Sequence, residues 1–159
     1  MASRIIVREA EKEDIEKIVP LLVRLKALNE EIDPHYKAVD NLEEAARKYL
    51  ETLLDRSDAR VIVAADAETG DIAGVIIYTL VDRIFYEPRI KAVITDFYVH
   101  PRFRRKRVGS LLLDKAAERA ASDGAGIITA VYPAGNAIAE NFYKSRKFVP
   151  LQVEVYRPL

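Results

Sequence analysis

The chain has no cysteine and no tryptophan, and only one methionine and two histidines among its 159 residues. Without cysteine there is no disulfide, no thiolate metal site and no cysteine acyl-enzyme. Charge of one sign is lacking too. The 25 Lys and Arg balance the 25 Asp and Glu, so no overall field draws the protein to nucleic acid or to a membrane surface. No apolar run approaches the roughly 18 residues of a spanning helix, and the start at Met1-Ala2-Ser3-Arg4 does not read as a signal peptide. A cytoplasmic protein is expected. At this length one domain over residues 1–159 is expected, with half the residues apolar and a core of ordinary size.

The apolar spacing then orders the chain. Arg4–Arg8 reads as a strand. Glu11 to about Leu28 carries Ile15, Ile18, Val19, Leu22 and Leu25 at helical spacing, with Pro20 expected to kink or interrupt it. Residues 29–40 read as a loop. Leu42, Ala45, Ala46, Tyr49, Leu50 and Leu53 share a helix face, with Asn41 and Glu44 as a cap-like start. Arg60–Ala65 and Ile72–Val81 read as a hairpin about the Gly70 turn. A charged connection over 82–89 leads to a fourth strand, Ile90–Val99. A helix follows Gly109 to about Ala121, with Gly124 as its stop. Ile127–Tyr132 reads as a fifth strand, a helix starts at Asn136, and Val149–Arg157 ends the chain as extended structure broken at Pro150, as one long or two short final strands. The order implies an α/β fold of the mixed α+β kind, a mixed sheet with helices packed on its faces.

The junction after the fourth strand is the most informative segment. The strand stops at Pro101, and Arg104-Arg105-Lys106-Arg107 then leads through Val108 and Gly109 into a helix. A basic turn at a helix N-terminus suits a polyanion, because unpaired amides and the helix dipole add to the arginine charge. Read blandly, the same run is solvated surface or a nucleic-acid patch. Only Phe103 is interleaved for stacking, which argues against the latter.

Residues 104–109 resemble the acyl-CoA pyrophosphate loop of the GNAT N-acetyltransferases, Gln/Arg-x-x-Gly-x-Gly/Ala. Arg104 and Gly109 match its ends, and Arg107 replaces the middle glycine. A second segment, Asn136 to Phe148, resembles the family's Asn, then aromatic–Tyr pair, then Gly-Phe. Asn136, Tyr143 and Phe148 fit, and Lys147 stands where Gly is usual. The resemblance implies a GNAT-like acyl-CoA N-acyltransferase fold, with a central, mostly antiparallel sheet splayed between strands 4 and 5. It implies acetyl-CoA as cosubstrate, without a metal, and direct transfer to a primary amine: a small molecule, a protein N-terminus or a lysine. By analogy, the backbone at Phe97, Tyr98 and Val99 binds the pantetheine arm and the oxyanion. The backbone of Arg104, Arg105, Lys106, Arg107, Val108, Gly109 and Ser110 takes the pyrophosphate, and Asn136 contacts the arm. Tyr143 would protonate the leaving thiolate, since a phenol of pKa about 10 can protonate a thiolate whose conjugate acid is near 8.5.

Each role has a plainer counterpart. Tyr143 at helical spacing with Phe142 also reads as core, and Asn136 is a favoured N-cap. Asp96 is the candidate base; in a buried strand it must be paired or functional, and a structural role fits equally. Arg107 is expected to be tolerated if its position is already helical. Glu30, Glu31, Asp33 and Tyr36 lie where the family shapes its acceptor site, with Tyr86 and Glu87 as second-rank candidates; solvated loop charge is the plainer reading. His35 beside Asp33 lacks a third metal ligand, and His100 reads as surface. The resemblance allows a homodimer. Its non-catalytic alternative is an acyl-CoA-binding sensor.

Overall fold

The structure, a computed structural model, describes residues 4–104 and 106–159. Arg105, expected at the anion site, lies outside the described residues, as does the Met1–Ser3 start. The elements run β1 (Ile5–Glu9), α1 (Ile15–Ile32), α2 (Leu42–Asp55), β2 (Ala59–Asp66), β3 (Ile72–Asp82), β4 (Ile90–Val99), α3 (Val108–Ser122), β5 (Ile127–Ala130) and α4 (Ala137–Ser145). The sheet order is β1-β2-β3-β4-β5, antiparallel throughout except for the parallel β4–β5 pair.

Strand alternation divides the core between the two faces of this sheet. Val61, Val63 and Ala65 of β2 pack with Ile18, Leu22, Leu50 and Leu53 on the α1/α2 face. Ile62 and Ala64 point the other way, to Leu112, Leu113 and Ala116 of α3. A strand buried on both faces has to be apolar nearly throughout, which is what the run Val61–Ala65 supplies.

In β4 the alternation breaks. Ile94 pairs with Tyr78 and Asp96 with Ile77, so Thr95 has no partner of its own on β3. This bulge moves the even-numbered positions from one face to the other. Ala92 and Ile94 pack on the α3 side, whereas Tyr98 packs on the α1/α2 side. Beyond the bulge β5 also ends. One residue past its end the Val131 amide still donates to the Ile94 carbonyl at 3.0 Å, and among the described residues no strand pairs with the distal half of β4 on that side.

Several boundaries differ from the sequence reading. α1 continues through Pro20 without interruption and on to Ile32, absorbing the first residues expected in a loop. Pro20 lacks an amide to bond back to Glu16, and the packing of Ile18, Val19, Leu21 and Leu22 outweighs that loss. Arg8 of β1 anchors the start of α1 through paired bonds of 2.7 and 2.9 Å to the buried Asp14. Asn41 makes no side-chain cap for α2. β5 is two residues shorter than expected, and residues 149–159 form neither one long final strand nor two short ones. Instead the tail touches the fold through Gln152 to Lys91 and Tyr156 to His35. Among the described residues no helix is long and apolar enough to cross a membrane.

Candidate active site

The open side of β4 is the floor of a cleft of about 60 Å³, lined by Asp96, Phe97, Tyr132, Asn136 and Tyr143 together with Leu25 and Asn29 of α1. Backbone direction here follows from one bond. The His100 amide donates to the Ala73 carbonyl of β3 at 2.8 Å. In an antiparallel ladder alternate residues face the same neighbour, so Tyr98 and Asp96 direct their main chain to β3. Phe97 and Val99 direct theirs into the opening, where the Val99 carbonyl accepts from Arg104 Nε at 3.3 Å. The ring of Tyr98 is buried among the α1/α2 core, and its hydroxyl has no partner among the described residues.

Tyr143 is 6% exposed and sits in an aromatic group with Phe97, Phe142, Phe148 and Tyr132, whose ring stacks at 5.7 Å and 9°. This residue is thus part of the core and also one of the residues lining the cleft. Burial first, and then the neighbouring Tyr132, push its phenol well above the ordinary tyrosine range, so it carries a proton at any physiological pH. Its hydroxyl forms no hydrogen bond among the described residues, and the residue lines the cleft. Asn136 is the N-cap of α4, accepts from the Ala139 amide at 3.1 Å through Oδ1, and is one of the residues lining the cleft.

Asp96 is 3% exposed, and the bulge turns it toward α1 and α2. There Lys26 forms an ion pair with Oδ1. Tyr49 and Thr95 each donate to Oδ2 at 3.0 Å. The Tyr49 hydroxyl is pushed up to about 12, by burial first and then by the Asp96 charge, which keeps it a donor. Lys26 and Tyr49 escaped the sequence reading. A buried Asp announces that it needs partners, but helix periodicity does not say which side chains of α1 and α2 arrive beside it. From the sequence Tyr132 reads only as the end of a strand.

At the other end of the opening, α3 begins at Val108, so Gly109 lies within its first turn rather than before it. The first intrahelical bond joins the Leu111 amide to the Arg107 carbonyl, which leaves the amides of Val108, Gly109 and Ser110 ahead of it. Among the described residues no side chain caps this end and no acid lies in its first turn. Arg104, Lys106 and Arg107 stand exposed around it. A Cβ on Gly109 would lie 3.3 Å from the Phe142 ring, so glycine there lets the turn settle against α4.

Arg107 is not helical. It takes a left-handed conformation, φ 62° and ψ 14°, immediately before the helix. Lys147 does the same at φ 68°. Both positions where the resemblance calls for glycine thus keep the backbone that glycine favours, and an L side chain bears the strain.

The remaining candidates are not among the residues lining this cleft. Tyr86 and Glu87 are exposed beside the start of β4, away from the cleft. Glu30 and Glu31 are exposed at the end of α1, and Asp33 caps the next turn by accepting from the His35 amide at 2.9 Å. His35 is engaged by Asp33 and Tyr156. His100 is exposed and accepts from the Arg102 amide.

The acetyltransferase (GNAT) family pattern matches residues 25–148. No curated protein sequence matches the chain. Among solved structures, the chain is similar to a tetramutant of the BH1408 protein from Bacillus halodurans, with a TM-score of 0.85 at 18% identity, covering 97% of this chain and 99% of that one. An aminoglycoside acetyltransferase from an uncultured soil metagenomic sample superposes with a TM-score of 0.72 at 19% identity over 98% and 96% of the chains. The aminoglycoside N-acetyltransferase AAC(6')-Iy, solved with CoA, superposes with a TM-score of 0.75 at 16% identity over 99% and 97%.

Proposed function

The chain belongs to the acetyltransferase (GNAT) family, and we propose that it is one acetyltransferase domain moving an acetyl group directly from acetyl-CoA to a primary amine. The observation that carries this reading is convergence. β4, the β5–α4 connection and α4 bring Phe97, Asp96, Asn136 and Tyr143 to one cleft, beside a basic helix start that no side chain caps among the described residues. The donor's acid-free, amide-rich landing site fits a diphosphate. The amides of Val108, Gly109 and Ser110 hold it there, with Arg104, Lys106 and Arg107 supplying charge. Bound acetyl-CoA supplies the activated thioester; the chain's own groups do the rest.

Phe97 and Val99 direct backbone groups into the opening, where they bind the amide arm and stabilise the oxyanion. Asn136 offers its NH₂ to the same arm. Tyr143, kept protonated by burial, gives its proton to the leaving sulfur. Asp96 has about four acceptor sites, of which Lys26, Tyr49 and Thr95 fill three. The remaining one takes the proton of the incoming amine, directly or through water. The tail of α1, with Leu25 and Asn29, forms the acceptor wall.

The test is thiol release from acetyl-CoA against small-molecule amines, peptides and lysine-containing proteins. The chain has no cysteine, so a thiol reagent reads only the product. Amine-dependent release is expected, and the amines that support it define the acceptor class. Tyr143→Phe should lower turnover by roughly 10²-fold or more while acetyl-CoA affinity stays within about twofold. Unchanged turnover would remove Tyr143 as the acid. Binding without release by any amine would favour the cofactor-sensing alternative.

A further inference from the structure

One arginine close to the proposed anion site has no place in the reading above. Arg146 is the C-cap of α4, and the positive φ of Lys147 after it turns the chain so that the Phe148 amide returns to the Tyr143 carbonyl at 3.0 Å. The guanidinium is fixed on its own helix. It lies 3.6 Å from the centre of the Phe142 ring, and Nη1 donates to the Phe142 carbonyl and to Ser145 Oγ, both at 3.1 Å. Nη2 alone reaches across to α3, where it donates to Ser110 Oγ at 2.7 Å.

That bond has a direction. A guanidinium carries donors and no acceptor, so Ser110 Oγ must be the acceptor and its hydroxyl proton must point elsewhere. A serine in the first turn of a helix otherwise tends to bond a nearby main-chain group; among the described residues the Arg146 bond is the one that Ser110 Oγ makes. The hydroxyl proton is therefore left available at the helix start where the amides of Val108, Gly109 and Ser110 have no partner among the described residues, with the Arg146 charge on the other side of the oxygen.

We propose that Arg146 is a positioning residue for the phosphate end of the donor, acting through Ser110 by orienting and polarising its hydroxyl as an anion donor. The inference rests on the acetyl-CoA reading of the site. It predicts a split between donors that carry phosphate and those that do not.

The experiment measures affinity for acetyl-CoA and for acetyl-pantetheine, which has the thioester and arm but no phosphate. The proteins are wild type, Arg146→Ala, Arg146→Lys, Ser110→Ala and the Arg146→Ala/Ser110→Ala double variant. Arg146→Ala should weaken acetyl-CoA roughly tenfold or more, the size of a charge-assisted hydrogen bond, and leave acetyl-pantetheine within about twofold. Arg146→Lys should recover part of the loss. Ser110→Ala should show the same split, and the double variant should be little worse than Ser110→Ala alone, because the two act as one unit. Equal weakening of both donors would mean that Arg146 only packs α4 against α3, and would overturn the proposal. So would an unchanged acetyl-CoA affinity in Arg146→Ala, or full additivity in the double variant. A wild-type protein that binds neither donor would remove the donor reading itself, a result distinct from any failure of Arg146 alone.

Discussion

Lys147→Gly should stabilise the protein, and the size of the effect can be worked from the backbone. Lys147 holds φ at 68° just after α4. Its amide bonds the Lys144 carbonyl at 3.1 Å, and the following Phe148 amide bonds Tyr143 at 3.0 Å. Those paired bonds close the helix end and require a left-handed residue at this position. A non-glycine residue there costs about 1–2 kcal/mol. Glycine removes that strain but gives back about 0.4–1 kcal/mol through a freer unfolded chain. The difference leaves a net gain of up to about 1.6 kcal/mol, centred at about 0.8 kcal/mol, which in a domain of this size raises Tm by up to about 6 °C. The Lys147 side chain is exposed, so little is lost with it. Calorimetric melting of wild type, Lys147→Gly and Lys147→Ala measures this directly. Alanine keeps the strain, so only glycine should raise Tm. Equal Tm values for glycine and alanine, or a fall with glycine, would refute the argument from φ. Arg107→Gly, at φ 62°, should behave the same way in the melt.

Three further outcomes are expected. Gly109→Asp should abolish acetyl-CoA binding in calorimetric titration while the far-UV spectrum stays native, because the new carboxylate occupies the anion end of α3; retained binding would refute the placement of the phosphates. Tyr49→Phe should destabilise the fold by about 1.5–3 kcal/mol, the value of a hydrogen bond to a charged group, since it strips a 3.0 Å donor from the buried Asp96; an unchanged denaturant midpoint would show that Asp96 does not depend on it. The Arg8 guanidinium, by hydrogen bonding, holds the Asp14 carboxyl below the ordinary carboxylate range. Its folded pKa is below the unfolded one, so its stabilisation is complete above about pH 4 and is lost as pH falls through the folded value. The Tm gap between wild type and Asp14→Asn should be steady from about pH 5 to 7 and shrink in more acidic buffer; a gap independent of pH would refute the pairing.

Local signals carried much of this structure. The helical spacing from Leu42 to Leu53, the double-faced run Val61–Ala65 and the Asn136 cap each produced the element their chemistry implies. The two motif segments were legible because phosphate binding at a helix start, and an aromatic helix closing at Phe148, each need particular residues at short range. Pro20 misled, since a local penalty was outweighed by the burial of the helix around it. The tail misled in the other direction: the extended segment Val149–Arg157 does not join the sheet, because a strand forms only where an edge receives it.

What the sequence determined by itself is the set of parts: the order of strands and helices, the basic uncapped start of α3, and Tyr143 on a helix that must be buried. What only the tertiary structure decided is how those parts face one another. The unpaired Thr95 shifts β4 by one residue, and a one-residue shift exchanges the faces of everything beyond it. That shift sends Asp96 to Lys26 and Tyr49 on one side of the sheet and Phe97 to Tyr143 on the other. Read as an unbroken strand, Ile94 and Asp96 share a face. A bulge is a compromise between two strands and the helices packed on them, so it is written in no single segment of the chain.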